Sequence, residues 1–518
     1  MRLLTAIFSG VGGFVGGSLL ITLVLAVLVL SGHGLEPRMQ AIVANAGALL
    51  AAAVGFMSGW LRAGPLRSDA HGSAEFGNED RARGELGNPD GLIVGRARRG
   101  WLMRYDGPAH LLTLAPTRSG KGVGAIIPNL LTANRSVICI DPKGENARIA
   151  ARARSRFGPV LVLDPFEVTG LPSAAFNPMA RLDPSGQDLA EDAALIADTL
   201  VYDPPGQVGE AHWNEEAKAL IAGIIMQVAS SDLTCSLTRV REILTGPPKD
   251  FHAYLLAMQQ SSAAGGLAAR AANRHLGKSE REATGVLSSA QRHTHFLDSP
   301  RMTSVLGRSD FAFGDLKRDV ATVFLVLPPE RLATHARWLR LLVGQAIHDL
   351  ARAPRHGDGS VLFLLDEFAA LGRLEPIERA FALMAGYGLQ LWAILQDLHQ
   401  LRGLYGERAG TFLSNAGAIQ VFNVADIDTA TWVSRTLGTM TESYVTTATS
   451  ESHAPNQFFA THGTSETPHL VARALMTPDE VLRMGDNRML LLRPGRAPLA
   501  PWKVRYYADP EFRGLFDA

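Results

Sequence analysis

The run Ala115, Pro116, Thr117, Arg118, Ser119, Gly120, Lys121, Gly122 follows directly on the apolar segment His110–Leu114 and precedes a stretch with helical potential. A strand that passes through a tight Gly/Ser loop into a helix turns successive backbone N–H groups inward, and a lysine at its end reaches the outer oxygens of a phosphate chain. Thr117, Arg118, Ser119, Gly120, Lys121 and Gly122 are therefore the candidate phosphate-binding residues. The match to the pattern GxxxxGK[ST] is incomplete, because Ala115 stands at the first glycine and Gly122 at the hydroxyl residue that commonly holds magnesium. An ordinary strand-to-helix turn with a solvent-facing lysine is the competing reading of this stretch alone.

A second element narrows the choice. Ser360-Val361-Leu362-Phe363-Leu364-Leu365-Asp366-Glu367 is an apolar strand that ends in two adjacent carboxylates. In phosphoryl-transfer sites the first acid of such a pair serves magnesium, and the next can polarise an attacking water as a general base does. Asp366 is thus the candidate metal ligand, and Glu367 and Lys121 are the candidate catalytic groups. The bland alternative for the pair is an acidic helix N-terminus favoured by the helix dipole. A third strand, Leu391–Leu395, ends at Gln396, which is positioned either to orient water or to serve as a plain strand-end polar residue.

Working outward, continuous apolar runs recur at His110–Leu114, Val137–Ile140, Val160–Leu163, Val320–Leu327, Val361–Leu365, Leu389–Leu395, Ile419–Val424 and Met489–Leu492. Being continuous rather than alternating, they predict strands covered on both faces, as in a parallel sheet between helices. Between residues 186 and 300 amphipathic segments such as Asn214–Ala229 and Asp250–Met258 replace them, which predicts an all-helical insertion. The stretch 68–80 reads as a polar connector, with order resuming near Leu92, and the Ser/Thr-rich stretch Thr439–Thr467 reads as a long loop.

Leu3–Leu30 carries no charged residue and Ala41–Leu61 carries none either. Each exceeds or matches the roughly 20 residues of a membrane-spanning helix. Arg2, Arg62, Arg67, Arg81 and Arg83 flank the pair against a single Arg38 in the turn, so the positive-inside bias places both ends in the cytoplasm. A cleaved signal peptide is the alternative, but it needs a shorter apolar core and no second span. The 518 residues balance 50 basic against 50 acidic side chains, which excludes a nucleic-acid protein recognised by bulk charge. Cys139 and Cys235 lack the paired spacing of a disulfide framework or zinc site.

Taken in order, APTRSGKGVG (Ala115–Gly124), IPNLL (Ile127–Leu131), DPKGEN (Asp141–Asn146), LLDEFAALG (Leu364–Gly372) and LQDLHQL (Leu395–Leu401) resemble the TraG-type coupling proteins of conjugation and type IV secretion. HGSAEFG (His71–Gly77) and HWNEEAKAL (His212–Leu220) carry the same resemblance. It implies an α/β fold: a RecA-like P-loop NTPase domain with an inserted all-α domain and an N-terminal two-helix transmembrane anchor. The expected divisions are 1–62 for the anchor, 63–185 with 301–518 for the nucleotide-binding domain, and 186–300 for the insertion. The resemblance further implies ATP and Mg²⁺ as cofactors and a homo-hexameric ring at the bacterial inner membrane with its ATPase domain in the cytoplasm. Implied partners are DNA or a relaxase–DNA complex, effector proteins, and the channel components of a type IV secretion system. A glycine after the lysine looks tolerated in that family, which leaves the second magnesium ligand unassigned. An arginine acting in trans is expected from the resemblance; some relatives carry it where this chain reads Met384-Ala385-Gly386-Tyr387, leaving Arg379 and Arg435 as alternatives.

Asp141, Lys143 and Glu145 either shape the pocket or form a turn, while Gln291, Arg292, His293 and His295 are weaker candidates for a substrate-facing surface. Two other functions compete. A chromosome-type DNA translocase needs more spans and a C-terminal DNA-reading module, for which too few residues follow Tyr507. A receptor that binds nucleotide without turnover is suggested by Gly122 and the missing arginine.

Overall fold

The computed structural model describes residues 23–24, 36–62, 69–202, 211–232, 234–354, 360–452 and 461–517. These fall into two compact units, one running to Ala74 and taking in Gly438–Leu475, the other formed by Glu75–Leu437 with Met476–Ala518. Among the described residues the chain forms, in order, β1 (Leu92–Arg96), β2 (Leu102–Tyr105), β3 (His110–Leu114), β4 (Val137–Asp141), β5 (Val160–Leu163) and β6 (Thr322–Val326). Then follow β7 (Val361–Leu365), β8 (Leu389–Leu395), β9 (Ala416–Phe422), β10 (Thr439–Ser452), β11 (Thr461–Ala474) and β12 (Met489–Leu492).

The larger unit is organised by one sheet in the order β12-β9-β3-β8-β7-β4-β6-β5. Its eight members are the eight apolar runs expected from the sequence, and their neighbours pair in parallel except for the antiparallel edge strand β12. β3, β4, β6, β7 and β8 are buried at every position, which is why they carry no polar alternation. Phe324, Phe363 and Trp392 are fully enclosed in this core. Beneath the loop that follows β3, Trp392 Nε1 donates to Thr113 Oγ1 at 2.8 Å, and Thr113 donates to Gln420 Oε1 at 2.7 Å. Gln420 Nε2 in turn donates to the Val94 carbonyl at 3.1 Å, so β8, β3, β9 and β1 are tied by one buried polar chain.

Between β5 and β6 the chain leaves the sheet for the helices Leu189–Leu200, Ala211–Ser231, Leu237–Thr245, Pro248–Met258, Ala263–Leu276, Glu280–Thr294 and Pro300–Leu306. A long helix, Pro329–Arg352, follows β6 and packs against Leu189–Leu200. Two expectations need correction. The connector 68–80 does not run unbroken to Leu92, because Asn78 accepts from Asp80 N and Arg81 N and starts the helix Glu79–Leu86, which buries Ala82 and Leu86. Nor do the described residues of Thr439–Thr467 form a loop: β10 and β11 pair antiparallel in unbroken register from Thr439↔Ala474 to Ser452↔Thr461. The Thr, Val and Tyr content of this ribbon suits extended backbone, and the absence of a buried face removes the alternation that would have signalled it.

In the smaller unit the helix Pro37–Arg62 contains Met39–Ser58, 20 residues of mean hydropathy 1.8 that lie almost wholly exposed. It is the one helix among the described residues long and apolar enough to cross a membrane. The first expected span, Leu3–Leu30, lies outside the described residues except for Leu23 and Val24. In the same unit the connector adds to the ribbon's base, with Ala74 N donating to the Thr439 carbonyl and His71 N to Thr441 Oγ1, both at 3.0 Å.

Candidate functional site

The strand order decides what can meet. β3 carries the phosphate-loop sequence at its C-terminal end and β7 carries the acidic pair at its own, and a single strand, β8, separates them. Because all three run parallel, Ala115–Gly122, Gln396 and Asp366–Glu367 emerge at one edge of the sheet, where open α/β sheets hold their ligands. Ala115 N donates to the Leu395 carbonyl at 2.8 Å, fixing the loop's first residue to β8.

Lys121 reaches across that edge to both carboxylates, with Nζ 2.8 Å from Asp366 Oδ1 and 2.7 Å from Glu367 Oε1. Burial works against the ammonium's charge, but Asp366 and Glu367 more than offset it, so the lysine holds its proton more tightly than usual. Burial pushes the Asp366 carboxyl upward, with Lys121 opposing and Glu367 reinforcing the shift. Asp366 Oδ1 also accepts from Glu367 N at 3.0 Å. Glu367 itself adopts left-handed backbone, φ 54° and ψ 46°, an unusual conformation for a residue with a side chain.

The loop is built as its sequence suggests. Arg118 has φ 65° and Gly120 φ 90°, so the backbone turns through the left-handed region at both positions. Ser119 N donates to the Pro116 carbonyl at 3.1 Å and Gly124 N to the Gly120 carbonyl at 2.8 Å. Thr117 and Arg118 are exposed, and Gly122 opens a π-helical turn, Gly122–Ile126, that runs into the helix Ile127–Thr132. Ser119 Oγ is buried and has no hydrogen-bond partner among the described residues.

Asp141 lies beside this group, since the register that pairs Ile140 with Leu365 continues to bring Asp141 level with Asp366. Burial pushes Asp141 up to about 6, the N–H groups of Ala147 and Asn146 oppose, and Asp366 adds to the rise. Lys143 and Glu145 are exposed. Gln396 is half-buried at the end of β8, its N–H donating to Gln400 Oε1 at 2.9 Å. Of the candidate arginines, Arg379 is spent on Glu375, with Nη2 2.6 Å from Oε1, and Arg435 is an exposed residue of the helix Ile427–Leu437. His293 is fully buried against Asn214 Oδ1 at 2.9 Å and Gln291 donates to the Leu244 carbonyl at 2.6 Å, so both serve the interior of the helical segment.

One wall of the site was not legible beforehand. A cavity of about 480 Å³ at the loop's mouth is lined by Pro116–Gly120 and Val123 on one side and by Asn423, Asp486, Lys503, Arg505 and Tyr507 on the other. Lys503 Nζ donates to the Ser119 carbonyl at 2.8 Å and to Asn423 Oδ1, and lies 4.8 Å from the centre of the Phe422 ring. No spacing rule connects residues 119 and 503; only the fold brings them together.

A magnesium–nucleotide complex would meet a buried carboxylate, a second carboxylate beside it, a lysine and the tightly turned loop that follows β3. Magnesium held with a nucleotide takes one or two protein carboxylates, phosphate oxygens and water, so Asp366 suffices as the protein's direct ligand. The orphaned Ser119 hydroxyl adds an unused oxygen at the same loop. These residues fit the complex.

Comparison with known proteins points the same way. Protein VirD4 of Agrobacterium fabrum is 32% identical over 427 residues, covering 79% of this chain and 60% of that protein. Conjugal transfer protein TraG of Escherichia coli is 30% identical over 410 residues, covering 74% of this chain and 63% of its own length. The chain thus spans 60% to 63% of the length of these curated relatives. Among solved structures, the plasmid coupling protein TrwB in complex with the non-hydrolysable ATP analogue ADPNP superposes with a TM-score of 0.64 at 16% identity, over 88% of this chain and 98% of that one. That likeness bears on the fold, which is the RecA-like NTPase architecture with its mixed sheet. Residues 74–515 match the family described as Type IV secretory system Conjugative DNA transfer, and with that span the chain belongs to this family of coupling proteins.

Proposed function

We propose that this protein is a membrane-anchored ATPase that drives DNA, as a relaxase–DNA complex, or effector proteins into a type IV secretion channel. The observation that carries the reading is the convergence of Lys121 on Asp366 and Glu367, 2.8 and 2.7 Å away, at the edge where the β3 loop and the β7 acids meet. In this reading the amides of Thr117–Gly122 cradle the phosphates and Lys121 leaves the carboxylates for the outer phosphate oxygens. Asp366 would hold Mg²⁺, which would supply positive charge against that of the phosphates. Glu367 accepts a proton from the attacking water, and Gln396 holds that water in line.

The anchor is proposed as two spans, Leu3–Leu30 and Ala41–Leu61, in the inner membrane with the ATPase domain in the cytoplasm. The division into an anchor at 1–62, a nucleotide domain at 63–185 and 301–518, and helices at 186–300 is part of the same proposal. So is a homo-hexamer with an arginine supplied in trans, for which the exposed Arg435 is a freer candidate than the ion-paired Arg379.

The test is ATP hydrolysis by the full-length chain in detergent, with and without DNA. Lys121→Ala and Glu367→Gln are each expected to lower kcat by about a hundredfold or more, as removal of a group acting on the transition state does. Unchanged hydrolysis in Lys121→Ala would refute the catalytic reading. Nucleotide binding by the wild type with no turnover in the assembled protein would instead favour the receptor that Gly122 suggests.

A further inference from the structure

Arg340 is an unusual residue for a protein interior. It sits in the middle of the helix Pro329–Arg352, only 4% exposed, and among the described residues no carboxylate is paired with it. Burial pulls its pKa down to about 10. A guanidinium taken out of water without an anion is unfavourable, so its retained contacts indicate what it holds. Both are main-chain carbonyls of the loop behind the acidic pair: Nη1 donates to Leu371 O and, at 2.8 Å, to Arg373 O. The guanidinium lies 3.9 Å from the centre of the Tyr202 ring, whose negative face favours the cation.

That loop begins at Glu367. Its left-handed backbone opens the turn Phe368–Leu371, and Ala370 N donates back to the Glu367 carbonyl at 2.8 Å. Left-handed backbone at a residue with a side chain persists only where the surroundings enforce it. Arg340 enforces it from one side by clamping Leu371 and Arg373. Tyr202 enforces it from the other, because its hydroxyl accepts from Arg373 N at 3.3 Å and lies 2.5 Å from where a Cβ on Gly372 would stand. Tyr202 follows the helix Leu189–Leu200, and its carbonyl accepts from Arg337 Nη2 at 3.1 Å. The same Arg337 nitrogen lies 3.1 Å from His293 Nδ1 in the helix Glu280–Thr294. The loop carrying Glu367 is therefore bound through Arg340 to the helix Pro329–Arg352, which follows β6, and through Tyr202 to the helices that lie between β5 and β6.

We infer that Arg340 and Tyr202 are positioning residues for Glu367, fixing its carboxylate for the hydrolytic step and making that step answer to movement of the helical segment. This rests on the role proposed for Glu367. The experiment compares full-length wild type, Tyr202→Leu, Tyr202→Phe and Glu367→Gln for ATP hydrolysis, and follows amide hydrogen exchange across residues 367–374. Tyr202→Leu removes the ring face and is expected to lower kcat by about ten- to a hundredfold, the scale of a misplaced catalytic group. Its KM for ATP should stay within about twofold, because no ground-state contact is lost. Tyr202→Phe keeps the ring but loses the bond from Arg373 N, so its kcat should fall between those of the wild type and Tyr202→Leu. Exchange in 367–374 should quicken in Tyr202→Leu, which remains readable even if that variant is too unstable for kinetics. Wild-type kcat in Tyr202→Leu, or unaltered exchange in the loop, overturns the inference when Glu367→Gln is inactive. Full activity in Glu367→Gln overturns instead the role of Glu367 on which it rests.

Discussion

Removing magnesium should expose a competition that the structure makes explicit. Lys121 Nζ is bonded to Asp366 and Glu367 at 2.8 and 2.7 Å, and those side chains are 16%, 15% and 33% exposed. A triphosphate entering alone must take the lysine from both acids and then lie against two uncompensated carboxylates. Hydrogen bonds to charged groups are worth about 1.5 to 3 kcal/mol each, and partial solvent exposure favours the low end. Two such bonds at that end come to about 3 kcal/mol, or roughly a hundredfold in affinity. ATP without metal is therefore expected to bind about a hundredfold more weakly than its magnesium complex. Asp366→Asn removes one competitor for the lysine and one charge facing the phosphates, so it should bind metal-free ATP about tenfold more tightly than the wild type, while hydrolysing none. The assay is a fluorescence titration with a labelled ATP analogue, in chelator and in magnesium, on the full-length chain in detergent. Equal affinity of wild type with and without metal, or no gain in Asp366→Asn under chelator, would refute the reasoning that carboxylates and triphosphate share Lys121.

Thr113→Val should cost about 2 to 6 kcal/mol in chemical denaturation, since it leaves the buried Trp392 Nε1 donor and the Gln420 acceptor without their partner, at about 1 to 3 kcal/mol each. Lys503→Met should raise KM for ATP severalfold with little change in kcat. Burial holds the Lys503 pKa down to about 8, Asp486 opposing and Arg505 assisting, so wild-type affinity should fall as pH rises from 7 to 9 while the Met variant stays flat. Glu216 is pulled down to about 2 from an ordinary 4.5 by its hydrogen bond to Arg274, with Lys278 adding to the effect against burial. A depressed carboxyl stabilises the fold above its unfolded pKa and loses that contribution as pH falls toward the folded one. The melting-temperature gap between wild type and Glu216→Gln should therefore be full at pH 5 and shrink toward pH 3; a gap that is constant with pH would contradict the pairing.

How much of this was legible depended on whether a residue's environment is set locally. The sheet strands announced themselves because burial on both faces forces unbroken apolar runs such as Val361–Leu365. Their order did not, because neighbours are chosen by crossovers, and nothing in the run Met489–Leu492 marks it as the antiparallel edge. Lys121, Asp366 and Glu367 were found because strand ends with these groups are rare for any other purpose. Lys503, Arg340 and Tyr202 were missed because each acts by touching a main-chain carbonyl or N–H far away in sequence, and a main-chain group leaves no trace in side-chain identity. The ribbon β10–β11 was missed for the opposite reason: exposed on both faces, it has no hydrophobic pattern to read. A signal for the helix Glu79–Leu86 was present, since Asn78 followed by Glu79 and Asp80 is a good helix start.

The electrostatics of the sheet edge also constrain what the site can accept. Lys121 meets the carboxylates of Asp366 and Glu367, Asp141 lies beside Asp366, and burial pushes Asp141 and Asp366 upward. A nucleotide alone would add negative charge to a region already rich in it, and a divalent cation alone would compete with Lys121 for the acids. The two together would resolve both conflicts, since Asp366 would be free to hold the cation and Lys121 free to meet the phosphate. A site so arranged would discriminate for the complex over either component. Once that exchange has taken Lys121 from Glu367, the loop behind it, clamped at Leu371 and Arg373, is what would hold its carboxylate in place.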